Sequence, residues 1–365
     1  MINEKKIAVV IKAYNEEKQI TKVVYGISDF VDRIVVVNDG SKDKTSEVVR
    51  RLISENDSSS VCIPKHVVNV EDVDGFNKAD AILYEMRQDE ENYYPKHVIY
   101  NDNDYDRIVL IDQDNSGPGG AVSVGYKWCR DHNIDCSVVI DGDGQMDPNE
   151  MRSIVRPVIS NGVDYVKGNR LSHPASKIIM PQIRYFGNNI LSLLTKIASG
   201  YWTVSDTQTG YTAISLKALN SIPIHQIYHY YGYPNDILVK LNISNCIIAE
   251  VPIKPVYNIG EQSKMKILKV VPRISALLFK RFFERLYKKY LLDSFHPLFM
   301  LYSLGILLGI INIPVLIKIV YEVIVKNGSV PFGWYIIFLL LTLFSFQSIC
   351  FGMWMDMQDN ARLEK

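Results

Sequence analysis

The chain opens on a short β-branched run, Ile7-Ala-Val-Val-Ile11, that ends in the polar turn Asn15-Glu16-Glu17. A run that is apolar at every position is the pattern of a strand covered on both faces, as in a parallel sheet. From Glu16 to Ile27 the residues Ile20, Val23, Val24 and Ile27 fall at helical spacing. A second buried strand, Arg33–Asn38, closes on Asp39-Gly40-Ser41, and a helix over Thr45–Leu52 follows. Strand, helix, strand, helix at this spacing predicts βαβ units with right-handed crossovers. The rhythm breaks from Glu71 to Arg107, an acidic stretch rich in Asn, Asp and Tyr that reads as a surface insertion. It resumes with Ile108–Ile111, a Gly-rich turn, a helix over Ala121–Arg130 and the strand Ser137–Ile140. Ligand crevices in open α/β sheets lie at the C-terminal strand ends, so Asn15, Asp39 and Asp141 are expected on one rim.

The last third of the chain has a different pattern. Leu298–Ile317 and Phe332–Met355 carry no charge, and each is long enough to span a bilayer. Trp334, Tyr335 and Trp354 suit interfacial positions, and the loop around Lys326–Ser329 joins the two runs. A buried helix pair in a soluble fold is the alternative, but two such runs in series favour spans at about 298–318 and 332–355. Ahead of them, Lys264–Tyr290 places Ile267, Leu268, Val271, Ile274, Leu277, Leu278, Phe282 and Leu286 on one helical stripe. Amphipathic helices lying on the membrane are expected there, with cations on the opposite side and Pro272 dividing them. The predicted layout is a domain over 1–260, interfacial helices over 261–294 and a hairpin of spans over 295–356.

Composition sharpens this picture in three ways. The hydrophobic content of 47% is concentrated near the C-terminus, as in a polar body with a membrane segment. Net charge is zero, yet Lys264–Lys289 contains a single acid, Glu284, which predicts a cytoplasmic body on a multi-pass inner-membrane protein. No basic patch with interleaved aromatics precedes the spans, so nucleic acid is not an expected partner. The five cysteines form no CxxC pair and read as reduced thiols. Ile7–Ile11 is too short for a signal-peptide core and reads as a strand.

The strongest local chemistry is Asp141-Gly142-Asp143 at the end of a predicted strand. Two carboxylates two residues apart can hold a hard divalent cation, which in turn neutralises a diphosphate. An EF-hand is excluded, because Met146 and Arg152 stand where its loop needs Gly and Glu. Gly117-Pro-Gly-Gly120 lacks the ending of a P-loop and, alone, is a turn.

Taken together, Ile7–Glu17, Arg33–Thr45, Asn115–Gly125 and Val139–Pro148 occur in an order that resembles the inverting glycosyltransferase family 2, with its GT-A fold. Gly168-Asn-Arg170, Ser205–Tyr211 and Gly260–Met265 are similar to the branch holding dolichol-phosphate mannose synthases and polyprenyl-phosphate glycosyltransferases. The resemblance covers residues 5–290 and departs at Pro118, where the family usually has Lys, and in the longer 71–107 segment. It implies that Ala13, Tyr14, Asn15 and Glu17 line the nucleoside pocket. It also implies that Asp39 accepts from the base, with an Asx-turn before Gly40 as its other reading. Asp141 and Asp143 would hold Mg²⁺ or Mn²⁺, with Gln145 beside the sugar or acceptor phosphate. Arg170 and Arg184 would clamp the acceptor phosphate, unless Arg184 is an ordinary surface residue. Lys264 would close over the diphosphate or serve as one more interfacial cation. Asp236 matches the acid that deprotonates hydroxyl acceptors.

The resulting expectation is an enzyme moving a sugar from a UDP- or GDP-sugar to a polyprenyl phosphate, for cell-surface glycan synthesis. Transfer to a glycan hydroxyl with Asp236 as base is the alternative. A non-catalytic membrane adaptor is the third reading, opposed by the intact Asp141, Asp143, Gln145 and Arg170. Assembly as a homo-oligomer stays open.

Overall fold

The computed structural model describes residues 4–56, 59, 61–66, 78–180, 182–256, 267–325 and 328–365. Eight strands form one mixed sheet: β1 (Ile7–Ala13), β2 (Arg33–Asp39), β3 (His97–Ile99), β4 (Ile108–Gln113), β5 (Cys136–Asp141), β6 (Tyr165–Asn169), β7 (Thr212–Ser215) and β8 (Ile248–Pro252). Their order is β3-β4-β2-β1-β5-β7-β6-β8. β4, β2, β1 and β5 run parallel, β7 is antiparallel to both neighbours, and β3 is an antiparallel edge. This is the mostly parallel sheet expected of GT-A.

The helices are α1 (Ile20–Gly26), α2 (Thr45–Asn56), α3 (Lys78–Asp89), α4 (Pro118–Asp131), α5 (Met151–Ser160), α6 (Ser176–Ile179), α7 (Gln182–Ser199), α8 (Leu216–Ser221) and α9 (Tyr233–Ile243). The chain ends with α10 (Ile267–Tyr287), α11 (Pro297–Val320) and α12 (Phe332–Asn360). Ala8 and Val10 of β1 enter one core layer with α4 and α9, whereas Ile7, Val9 and Ile11 enter the other with α1, α2 and α5. That double coverage is why the strands read as unbroken apolar runs. α4 lies so close to β1 that a Cβ on Gly125 would fall 2.3 Å from the Val10 side chain.

Two expectations need correction. The 71–107 segment is not all surface loop: α3 forms within it, Tyr94 is buried, and His97–Ile99 extends the sheet beside β4. Three residues are too short a run to show an alternation. Residues 71–77 lie outside the described residues. The second correction concerns α10, which continues through Pro272. That proline sits in the second turn, where one intrahelical bond is lost.

The cations of α10 also point the other way from their predicted side. This holds for Arg281 and Arg285 of α10, and for Lys289 just beyond its end, which face the catalytic body at a spacing of four, whereas Arg273 and Lys280 stay exposed with Phe279, Phe283 and Tyr287. Arg285 is fully buried and makes two bonds to the equally buried Asp356 of α12, at 2.8 and 2.7 Å. It also donates to the carbonyls of Ala198 and Ile197 at the end of α7. Lys289 reaches Asn242 of α9 and Asn360 of α12.

α11 and α12 are long and apolar enough to cross a membrane, and most of their surface is exposed. Tyr302 meets Gly352, Gly305 meets Ser345 and Asn312 meets Thr342, so the pair is antiparallel. The tail returns to the sheet, where Lys365 N–H donates to Ile248 O of β8 and Glu364 accepts from Thr203 N–H.

Removing one partner of a buried ion pair strands the other charge. Asp356→Ala is expected to cost about 3–5 kcal/mol, read as a lower unfolding temperature of the detergent-solubilised protein. The double replacement Arg285→Met with Asp356→Leu should recover most of that loss.

Candidate active site

The C-terminal ends of β1, β2, β4 and β5 open into a cleft of ≈ 750 Å³. Its floor is the Asp141–Asp143 turn. Asp143 Oδ1 accepts the Gln145 N–H at 2.9 Å, a bond within the turn. The Gln145 side-chain NH₂ is buried in the cleft without a partner among the described residues. A polar group in that state is expected to meet a ligand or water.

Among the described residues no cluster of three or more His, Cys, Asp or Glu side chains is arranged for a metal. The donor set is therefore two hard carboxylates and an orphaned amide. That set fits a cation such as Mg²⁺, which keeps waters and takes its remaining ligands from substrate phosphates.

Lys12 was not anticipated as a site residue. It is the single charge in β1, paired in register with Asp141 across the β1–β5 ladder, and its ammonium contacts Asp141 Oδ1. The ring of Tyr233 lies 5.6 Å from it. Burial pushes the Lys12 ammonium down to about 8, while Asp143 and Glu16 pull the other way. A lysine interrupting an apolar strand was the available signal.

Asp39 gathers the Gly-rich loop. Its Oδ1 accepts from Gln113 Nε2 at 2.7 Å and Ser116 N–H at 2.8 Å, and its Oδ2 accepts Gly117 N–H at 2.9 Å. The Asx-turn bond belongs instead to Asn38, which accepts Ser41 N–H. Above this loop, Gly119 N–H donates to His229 O at 2.6 Å, and a Cβ on Gly119 would lie 2.0 Å from Tyr228 O. Glycine is required here by close approach of two backbones.

Ala13, Tyr14, Asn15 and Glu17 line the same cleft. Asn15 adopts φ +56° and accepts Lys42 N–H, while Glu17 accepts Lys44 N–H. These two side chains thus brace the loop before α2. Within that loop, burial disfavours the Asp43 carboxylate, but bonds from Thr45 and from the Glu17 backbone outweigh it and hold the group below its usual range.

Arg170 lines the opposite side and is held by the buried Asp206 through Nε at 2.8 Å and Nη2 at 3.0 Å. Burial raises the Asp206 carboxyl, and the Arg170 charge and hydrogen bonds more than reverse that. Arg184 lies in the first turn of α7, its side chain outside the description, and Lys264 lies outside the described residues. An apolar patch of the cleft wall comes from Leu191 of α7 with Val270, Val271 and Ile274 of α10, next to Asn188 of α7.

Asp236 is the clear departure from expectation. It is fully buried on α9, off the cleft lining, with Oδ2 taken by Lys240 Nζ and Tyr228 N–H and Oδ1 by Arg281 of α10. Both oxygens are thus engaged in holding α10 against the Tyr228–Tyr233 segment, and neither is placed to remove a substrate proton. Asp236→Ala should lower stability by about 3–5 kcal/mol by stranding the buried Lys240 ammonium and removing one of the two partners of Arg281. Thermal unfolding checks this, since loss of a general base would leave the unfolding temperature unchanged and stop turnover alone.

The family model described as Glycosyl transferase family 2 matches residues 8–70 and 92–222. The unmatched stretch between them holds α3, so the insertion is shorter than 71–107 and β3 belongs to the matched part. Among curated relatives, a UDP-N-acetylglucosamine–dolichyl-phosphate N-acetylglucosaminyltransferase of Methanococcus voltae is 29% identical over 70% of this chain and 87% of its own. A dolichyl-phosphate beta-glucosyltransferase of Trichomonas vaginalis is 24% identical, covering 77% and 74%. An undecaprenyl-phosphate mannosyltransferase of Micrococcus luteus is 28% identical, covering 43% and 64%. Among solved structures, glucosyl-3-phosphoglycerate synthase from Mycobacterium tuberculosis superposes with a TM-score of 0.46 at 17% identity, covering 77% and 78%. With the family model matching more than half of the chain, this protein belongs to glycosyl transferase family 2 and is a glycosyltransferase.

Proposed function

We propose that the protein transfers a sugar from a nucleoside-diphosphate sugar to a membrane polyprenyl phosphate, inverting the anomeric centre. The observation that carries this reading is the two-ended cleft. One end offers Asp141, Asp143 and Gln145, and the other is walled by Leu191, Val270, Val271 and Ile274. The apolar end belongs to α7 and α10, whose outer faces expose Phe186, Ile190 and Leu193, and Phe279, Phe283 and Tyr287. Such faces suit burial at the headgroup boundary. A lipid phosphate reaching the cleft from that boundary would keep its chain in apolar surroundings. The relatives named above act, by their names, on dolichyl or undecaprenyl phosphate. Those names carry three different sugars, so the sugar here is left to experiment.

In this reading the nucleoside sits over Ala13, Tyr14, Asn15 and Glu17, and Asp39 accepts from the base. A Mg²⁺ or Mn²⁺ held by Asp141 and Asp143 would neutralise the diphosphate as it leaves. Arg170, fixed by Asp206, presents donors toward the acceptor phosphate. A phosphate oxygen attacks the anomeric carbon, the bond to the diphosphate oxygen breaks, and the electron pair leaves with the nucleoside diphosphate. No proton has to be removed from an ionised phosphate, which agrees with Asp236 being committed to ion pairs elsewhere. The same commitment of Asp236 weighs against the hydroxyl-acceptor alternative, which needs a base. The catalytic body and the returning tail would lie on the cytoplasmic side, as the basic α10 region favours.

Incubating the purified protein in lipid with a panel of UDP- and GDP-sugars should give one glycosylated polyprenyl phosphate, identified by mass. Polyprenol lacking the phosphate should give none; product from polyprenol would refute the acceptor assignment. Asp143→Asn should slow the reaction by about 10²–10³-fold, as loss of one transition-state stabiliser does.

A further inference from the structure

A lysine ammonium in contact with a proposed metal ligand is unexpected. Lys12 and Asp141 lie side by side on parallel strands, and residues in register on neighbouring strands project to the same face. Both line the cleft, with side-chain exposures of 11% and 26%. The ammonium touches Asp141 Oδ1 and has the Tyr233 ring behind it. The Gly210 backbone packs against the pair. A Cβ on Gly210 would fall 2.8 Å from the Tyr233 hydroxyl and 3.6 Å from Asp141 Oδ2. A charge inserted in an otherwise apolar strand carries a desolvation penalty that packing alone does not explain.

The charges decide what this arrangement can do. Two carboxylates present two negative charges to a cation; two carboxylates with an ammonium in contact present one. A free divalent cation is therefore held less strongly, and a diphosphate meets a fixed positive charge before any metal arrives. Asp141 and Asp143 also cease to be equivalent, because the ammonium touches Asp141 whereas Asp143 is bonded within its own turn.

We propose that Lys12 is a built-in counter-cation of the Asp141-Gly142-Asp143 turn, one that neutralises Asp141 and binds the donor diphosphate directly. The site thereby takes up a nucleoside diphosphate without a divalent cation and binds the free cation weakly. This inference rests on the nucleotide-sugar reading of the cleft.

The test measures binding to the full-length protein in detergent, independently of turnover. Calorimetry with UDP and GDP is run in EDTA and in Mn²⁺, and free Mn²⁺ binding is followed by electron paramagnetic resonance. The wild type should bind one of the two nucleotides in EDTA within tenfold of its affinity in Mn²⁺. Lys12→Met should weaken binding in EDTA by tenfold or more and tighten free Mn²⁺ by a similar factor, while Lys12→Arg should keep binding in EDTA. Wild-type binding that strictly requires Mn²⁺ overturns the proposal whether or not the variants fold. So does a folded Lys12→Met protein whose Mn²⁺ and nucleotide affinities match the wild type. Failure to bind either nucleotide even with Mn²⁺ would instead remove the donor assignment on which the proposal stands.

Discussion

The buried pair between Arg285 and Asp356 is the constraint on which the arrangement of the whole chain depends. It joins the last turn of α10 to the end of α12, and through the carbonyls of Ala198 and Ile197 it holds the end of α7. A fully buried ion pair contributes little net stability over an apolar pair of the same shape, but it tolerates almost no displacement. Its effect is therefore positional. The catalytic body, the helices forming the apolar wall and the two long apolar helices cannot shift independently without separating two charges in a dry environment.

Asp236 extends the same arrangement toward the cleft. Arg281 is one helical turn from Arg285, and its partner Asp236 also accepts the N–H of Tyr228. The Tyr228–Tyr233 segment in turn rests on Gly117–Gly120, the loop gathered by Asp39. A continuous set of hydrogen bonds and ion pairs thus runs from the apolar helices to the rim of the cleft. One side of α10 supplies cations to this network, and the other supplies the exposed aromatic stripe.

Much of the fold was legible because its central strands are covered on both faces. Ile7–Ile11, Arg33–Asn38, Ile108–Ile111 and Ser137–Ile140 leave an apolar signature that needs no knowledge of their neighbours. The cleft rim was legible for a related reason, since Asn15, Asp39 and Asp141 each lie at or just past the end of such a strand. What was missed depends on partners distant in sequence. The inward turn of Arg281 and Arg285 is set by Asp236 and Asp356, outside the segment whose periodicity suggested the opposite face. Asp236 resembled a base until its cations were known, and Lys12 acquired a role only through its register with Asp141. β3 is three residues long and takes its conformation from β4.

The return of the tail to β8 has a consequence for how the protein is made. Ribosomal synthesis runs from the N-terminus, so β8 and Arg285 leave the ribosome well before Asp356, Glu364 and Lys365. Until α12 is in place, the edge of β8 lacks the bond from Lys365 and Arg285 has no carboxylate. A chain whose α12 has not yet docked therefore keeps an open sheet edge and an internal cation without its carboxylate, both of which mark it as unfinished. Completion of the catalytic body is in this way tied to the arrival of residues 356–365.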